Sequence, residues 1–182
     1  MDMVYEVLKD FKKVSDVPQE IIAEYDKKIP QDMIDLLREY GYGSFFHDYI
    51  KVINPHDYED VVRESYFDGE YAIPIMATAF GDMILYNTKE QILVILLYRY
   101  KDLEVLGSYF FRNLASQAYL DSKIKNKKYD KALEKYGSIE YDECFGYEPL
   151  LGMGGKESIK NIHKVKIKEY INLNTQMVGK IE

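Results

Sequence analysis

The sequence predicts an α+β fold in which one central mixed or antiparallel sheet is flanked by helices from both ends of the chain. The first observation behind this is the stretch 91–98, whose core is Ile92-Leu93-Val94-Ile95-Leu96-Leu97. It is too continuously apolar for a sheet wet on one side, so it reads as a central strand covered on both faces. The second is a change of periodicity. Apolar residues recur mainly at helical spacing before residue 65 and after residue 107, with β-rich stretches between. The third is continuity. No repeat and no Ser- or Gly-rich linker divides the 182 residues, a length near the roughly 150 typical of one domain.

Taken in order, Val4, Val7, Leu8 and Phe11 predict an amphipathic helix over 2–14. Ser15-Asp16-Val17-Pro18 breaks it, and a short helix over 18–27 follows, with Pro18 suited to the first turn. Pro30 opens a third helix, whose Met33, Leu36, Leu37 and Tyr40 form one stripe, and Gly41 stops it as a left-handed cap. Residues 44–53 are aromatic and β-branched and predict a hairpin or two short strands. Asn54-Pro55 is an N-cap followed by a first-turn proline, starting a helix to about residue 64. Strands are expected at 71–80, 83–86 and 91–98. Ser108 caps a helix to about 122, residues 127–136 form another stopped by Gly137, and 142–155 read as a Gly/Pro-punctuated stretch. A last strand at 165–168 and a helix over 169–178 complete the chain. Six lysines against two acids in 123–135 are most simply a solvated helix face.

Composition excludes several classes of function. One cysteine, Cys144, and three histidines rule out a disulfide framework and give no metal-ligand spacing. No metal and no cofactor is therefore expected. The first residues show no signal-peptide pattern and the longest apolar run is far below a ~20-residue span, so a cytoplasmic protein without a membrane partner is expected. The formal net charge is −7, but residues 1–70 carry 17 acids against 8 bases. That excess argues against direct contact with nucleic acid and suits a positively charged protein surface; it also serves solubility. Eighteen tyrosines and no tryptophan fit either a binding surface or an AT-rich genome.

Catalytic signatures fail on inspection. Gly152, Gly154 and Gly155 precede Lys156, but a phosphate loop needs glycine and a hydroxyl where Leu150 and Glu157 stand. Cys144 sits beside Glu143, which disfavours a thiolate. His47-Asp48 and His56-Asp57 are adjacent in sequence, so their side chains point apart, and no nucleophile signature accompanies them. No enzyme is expected.

Two stretches carry a resemblance. The first runs through Ile29-Pro30, Leu36-Leu37-Arg38-Glu39-Tyr40-Gly41-Tyr42-Gly43, Val52-Ile53-Asn54-Pro55-His56-Asp57-Tyr58 and Ile73-Pro74-Ile75-Met76-Ala77-Thr78-Ala79-Phe80-Gly81-Asp82. It resembles the GAD-like domain of bacterial immunity proteins, although that family often has tryptophan in the helix before the glycine and this chain has none. The second, Tyr141-Asp142-Glu143-Cys144-Phe145-Gly146-Tyr147-Glu148-Pro149-Leu150-Leu151-Gly152-Met153-Gly154-Gly155, resembles the C-terminal domain of immunity proteins paired with type VI secretion DNase toxins. The order of elements also resembles the SUKH superfamily. The resemblance implies a single unit over 1–182, with a GAD-like region at 17–105 and a C-terminal immunity region at 106–182 packed on it. It also implies an inhibitor that binds a cognate secreted toxin, expected to be a nuclease, and blocks its active or substrate-binding site.

Gly41, Pro55, Phe80, Gly81, Asp82, Gly146, Pro149, Gly154 and Gly155 then read as fold-making residues. The toxin contact is expected on the acidic stretch: Asp57, Glu59, Asp60 and Glu64 on one helix, with Tyr66, Phe67, Asp68 and Glu70 after it. Charge there would speed association, and exposed Tyr66 and Phe67 would slow dissociation. The alternative is a small-ligand-sensing or regulatory module with a pocket among the Tyr/Gly loops of 141–155.

Overall fold

The structure, a computed structural model, describes residues 6–182. Seven strands follow one another as an antiparallel meander: β1 (Lys12–Ser15), β2 (Tyr42–Phe45), β3 (Ile50–Val52), β4 (Ala72–Thr78), β5 (Met83–Asn87), β6 (Ile92–Leu97) and β7 (Asp102–Val105). Every neighbouring pair is antiparallel. Between them lie α1 (Gln19–Tyr25), α2 (Gln31–Glu39), a 3-10 turn at Pro55–Asp57 and α3 (Glu59–Ser65). After the sheet come α4 (Phe110–Asn113), α5 (Gln117–Tyr119), a π-helical turn at Leu120–Ile124 and α6 (Tyr129–Tyr136). A separate hairpin of β8 (Glu143–Tyr147) and β9 (Ile162–Lys166) then leads into α7 (Ile167–Val178).

The apolar stretch 91–98 is β6, and it is covered on both faces as expected. Leu93, Ile95 and Leu97 enter one core, with α1 and α2; Val94 and Leu96 enter a second, with α3 and α7. Its position differs from expectation. β6 is the sixth of seven strands, and the middle of the sheet is β4, all of whose residues are buried. A bulge between Pro74 and Met76 lets Ile75 and Met76 both face the first core before Ala77 returns to the second. The unexpected outer strand, β7, pairs with β6 and presents Glu104 to Lys123 at 2.5 Å. Acids in a four-residue strand hide it from a hydrophobic pattern.

The expected first helix over 2–14 is corrected in part. Residues 2–5 lie outside the described residues, residues 6–8 are helical, and 12–15 form β1. Two glycines make this possible. A β-carbon on Gly41 would strike the Ser15 carbonyl, and one on Gly43 would strike the Lys12 carbonyl, so bare backbone is what lets β1 lie against β2. Gly41 itself has φ +84° and follows Tyr40, the C-cap of α2, as the left-handed stop read from sequence. The expected helix over 108–122 is broken into pieces, since Ser116 caps a new turn through the Tyr119 amide. The Gly/Pro-punctuated stretch hides β8, whose Phe145 amide donates to the Ala79 carbonyl at 2.7 Å.

Candidate partner-binding surface

The acidic stretch is built on α3. Asn54 accepts a hydrogen bond from the His56 amide, and Pro55 supplies a donor-free first position in the 3-10 turn. The chain then re-enters helix at Glu59, with Val61, Val62 and Ser65 buried and Asp60, Arg63 and Glu64 outward. Asp57, Glu64 and Glu70 are exposed and make no ion pair among the described residues. Glu59 accepts from the Tyr25 hydroxyl at 2.5 Å, and Asp60 is paired with Lys168 at 3.0 Å. Partial burial acts to raise the Asp60 carboxyl, but Lys168 outweighs it and holds it below the usual carboxylate range. Asp68 is paired with Lys89 at 3.2 Å.

Two concavities flank the helix. Glu59 and Glu70 line one of about 240 Å³, together with Glu24, Tyr25, Arg63 and Tyr71. Asp57 lines another of about 410 Å³, with Tyr58, Asp142, Lys166, Lys168 and Glu169.

The aromatic pair splits. Phe67 is 77% exposed, whereas Tyr66 is only 6% exposed. The expectation of an exposed Tyr66 is corrected: its ring joins the second core beside Ile181, and its hydroxyl accepts from Asn87 at 3.4 Å. Residues 66–69 form a tight turn, with the Gly69 amide donating to the Tyr66 carbonyl at 3.1 Å, and Phe67 stands at its tip.

In the interior, between the β4–β5 turn and the end of β6, lies a charged knot that no sequence pattern announces. Arg99 donates to Asp82 at 2.9 Å, with both side chains sealed from solvent. It also donates to the Lys125 carbonyl at 2.9 Å and lies 4.2 Å over the Phe80 ring. Burial acts against the Arg99 charge, but Asp82 and the surrounding tyrosines outweigh it and keep the guanidinium protonated. The same burial pushes the Asp82 carboxyl up, and Arg99 draws it back. Asp82 is readable as a motif residue, and Arg99, the first base after the apolar strand, is the available signal for its partner.

Gly81, between Phe80 and Asp82, has φ +77°, and a β-carbon there would come within 2.8 Å of Cys144 Sγ. Gly146 is crossed at comparable range by Tyr170 and Val165. Cys144 is fully buried and burial pushes its thiol up, which leaves it inert. Pro149 follows a cis peptide bond and Gly154 has φ +87°, while a β-carbon on Gly155 would strike the Pro149 carbonyl. Of the tyrosines in 141–155, Tyr141 donates to the Val52 carbonyl and lines a cavity of about 280 Å³ with Lys51 and Glu140, whereas Tyr147 is buried and stacks on Phe80.

No group of three His, Cys, Asp or Glu able to hold a metal occurs among the described residues. No helix among them is long and apolar enough to cross a membrane. Fold and surface together describe an α+β protein whose conspicuous chemistry is on its outside, in an acidic face carrying exposed Phe67 and Tyr71. Residues 2–99 match the GAD-like domain, more than half of the chain, and the chain belongs to that family. Residues 104–178 match the T6SS immunity protein Tdi1, C-terminal domain, so the chain joins the two. The fold is shared with Atu4351 from Agrobacterium tumefaciens, at TM-score 0.73 and 16% identity, covering 93% of this chain and 87% of that one. No curated protein matches the sequence.

Proposed function

We propose that this chain is an immunity protein that binds a T6SS toxin, expected to be a nuclease, and covers its active or substrate-binding site without catalysing a reaction. The observation that carries this reading is Phe67, 77% exposed at the tip of a tight turn. Turn corners favour Gly, Asn, Asp, Ser and Pro. A Phe left in water forgoes roughly 1.5–3 kcal/mol that burial would contribute. Buried in a partner, the same ring becomes an anchor. The acids around it have a different role. Exposed ion pairs are worth about 0–1 kcal/mol each, but a face of like charge accelerates encounter with an oppositely charged one. A nuclease cleft must attract a polyanion and is therefore basic, which complements the acidic first 70 residues.

Within this reading Asp57, Glu64 and Glu70 steer, Phe67 anchors, and Glu59, Asp60 and Asp68 shape the rim through their internal partners. Tyr66 supports the turn from inside. The inhibitor would act in the cytoplasm, where a nuclease meets its substrate. Coexpression with a candidate T6SS toxin, sought among the genes neighbouring this one, should restore growth, and the purified pair should form a stable complex lacking toxin activity. A mixture that forms no complex, or a complex in which the toxin stays active, contradicts the reading.

A further inference from the structure

We propose that the segment after α7, centred on Ile181, is a positioning device that fixes Phe67 for binding; this deepens the surface reading above and rests on it. Gly179 turns the chain at the end of α7, with its amide donating to the Thr175 carbonyl at 3.0 Å. The next residues return to the acidic face. The Ile181 amide donates to the Ser65 carbonyl at 2.9 Å, and the Ile181 carbonyl accepts from the Phe67 amide at 2.9 Å. Tyr66 and Ile181 thus form a parallel bridge, and the Ile181 side chain is 2% exposed in the second core.

The bonding is lopsided in a telling way. The backbone of 65–69 is held by Ile181 on one side and by α3 on the other, where a β-carbon on Gly69 would come within 2.6 Å of Arg63 Cα. The ring of Phe67, at the tip of the turn, is left in water. A stapled backbone under an exposed ring is the arrangement that lowers the ordering cost of binding, because the anchor is already placed when the partner arrives. It also connects the two matched regions. The anchor belongs to the GAD-like region, while the staple emerges from the helix that ends the Tdi1-like one.

The test uses the full chain and the purified, catalytically inactivated T6SS toxin identified by the coexpression experiment above. Phe67→Ala and Ile181→Ala should each speed dissociation about tenfold, and the double variant should be no worse than the poorer single one by more than about threefold. Independently of any toxin, hydrogen exchange at the Phe67 amide should accelerate about tenfold in Ile181→Ala. A variant ending at Val178 should reproduce both effects should Ile181→Ala retain the staple through its backbone. Dissociation accelerated by neither tail variant, with Phe67→Ala still impaired, would overturn the staple and leave the surface reading standing. Unimpaired Phe67→Ala would overturn both. Fully additive loss in the double variant would mean that Ile181 contributes only general stability, and would also overturn the proposal.

Discussion

Arg99 is the interior residue whose removal should be felt most, because the damage falls on Asp82. With the guanidinium gone, a carboxylate sealed from solvent loses its partner, and stranding a buried charge typically costs about 3–5 kcal/mol. Arg99→Leu should therefore lower unfolding free energy by that order in urea titration, whereas Arg99→Leu with Asp82→Leu should recover part of the loss. A double variant worse than Arg99→Leu alone would show that the pair is needed for more than charge balance. Lys51 is a different case. Its ammonium is buried and donates to the Glu140 and Glu143 carbonyls. Burial pushes it down to about 8 against the opposing pull of the Asp142, Glu143 and Asp48 carboxylates. A neutral amine still has two N–H groups for those two carbonyls. Above about pH 8 the folded state sheds a proton that the unfolded chain keeps, so stability rises with pH. The stability of wild type relative to Lys51→Met should therefore rise by about 1 kcal/mol between pH 7.5 and 9. A pH-independent difference would show that Lys51 stays protonated in the fold.

At the scale of elements, the decisive junction is the β4–β5 turn against the β8–β9 hairpin and α7. Gly81 sits between Cys144 and Tyr170 with φ +77°, so Gly81→Ala meets both backbone strain and collision. It should cost about 1–3 kcal/mol in chemical denaturation and leave toxin affinity per folded molecule unchanged. A stable Gly81→Ala that had lost binding would move this turn from architecture to interface. Elements differ in how visibly they are written. β4, β5 and β6 are legible because each is a run of apolar residues, and α2 because its stripe and Gly41 stop agree. β1, β7 and β8 are not, for a common reason: Lys12-Lys13, Asp102 with Glu104, and Gly146 suit strands only once a neighbour is in place to pair with them. Of the surface, its acidity and Phe67 could be read directly. The burial of Tyr66 could not, since it is decided by Ile181, which no local pattern connects to it.

For the whole molecule, the two regions share cores rather than a boundary. Phe80 of the GAD-like region packs on Phe145 and Tyr147, Arg99 bonds the Lys125 carbonyl, and α3 pairs with α7 through Asp60 and Lys168. Urea unfolding should accordingly be a single transition, coincident by far-UV and near-UV circular dichroism; two separated transitions would mean that the regions fold independently. The central claim, that an acidic face steers the chain onto a basic toxin, is tested most directly by stopped-flow association with the inactivated toxin. The variant for it is Asp57→Lys with Glu64→Lys and Glu70→Lys, since these acids hold no ion pair among the described residues. Steering predicts an association rate at least about tenfold below wild type at low salt. The gap should close as the screening length falls towards ~8 Å at physiological ionic strength. Association at the wild-type rate, indifferent to salt, would contradict the claim.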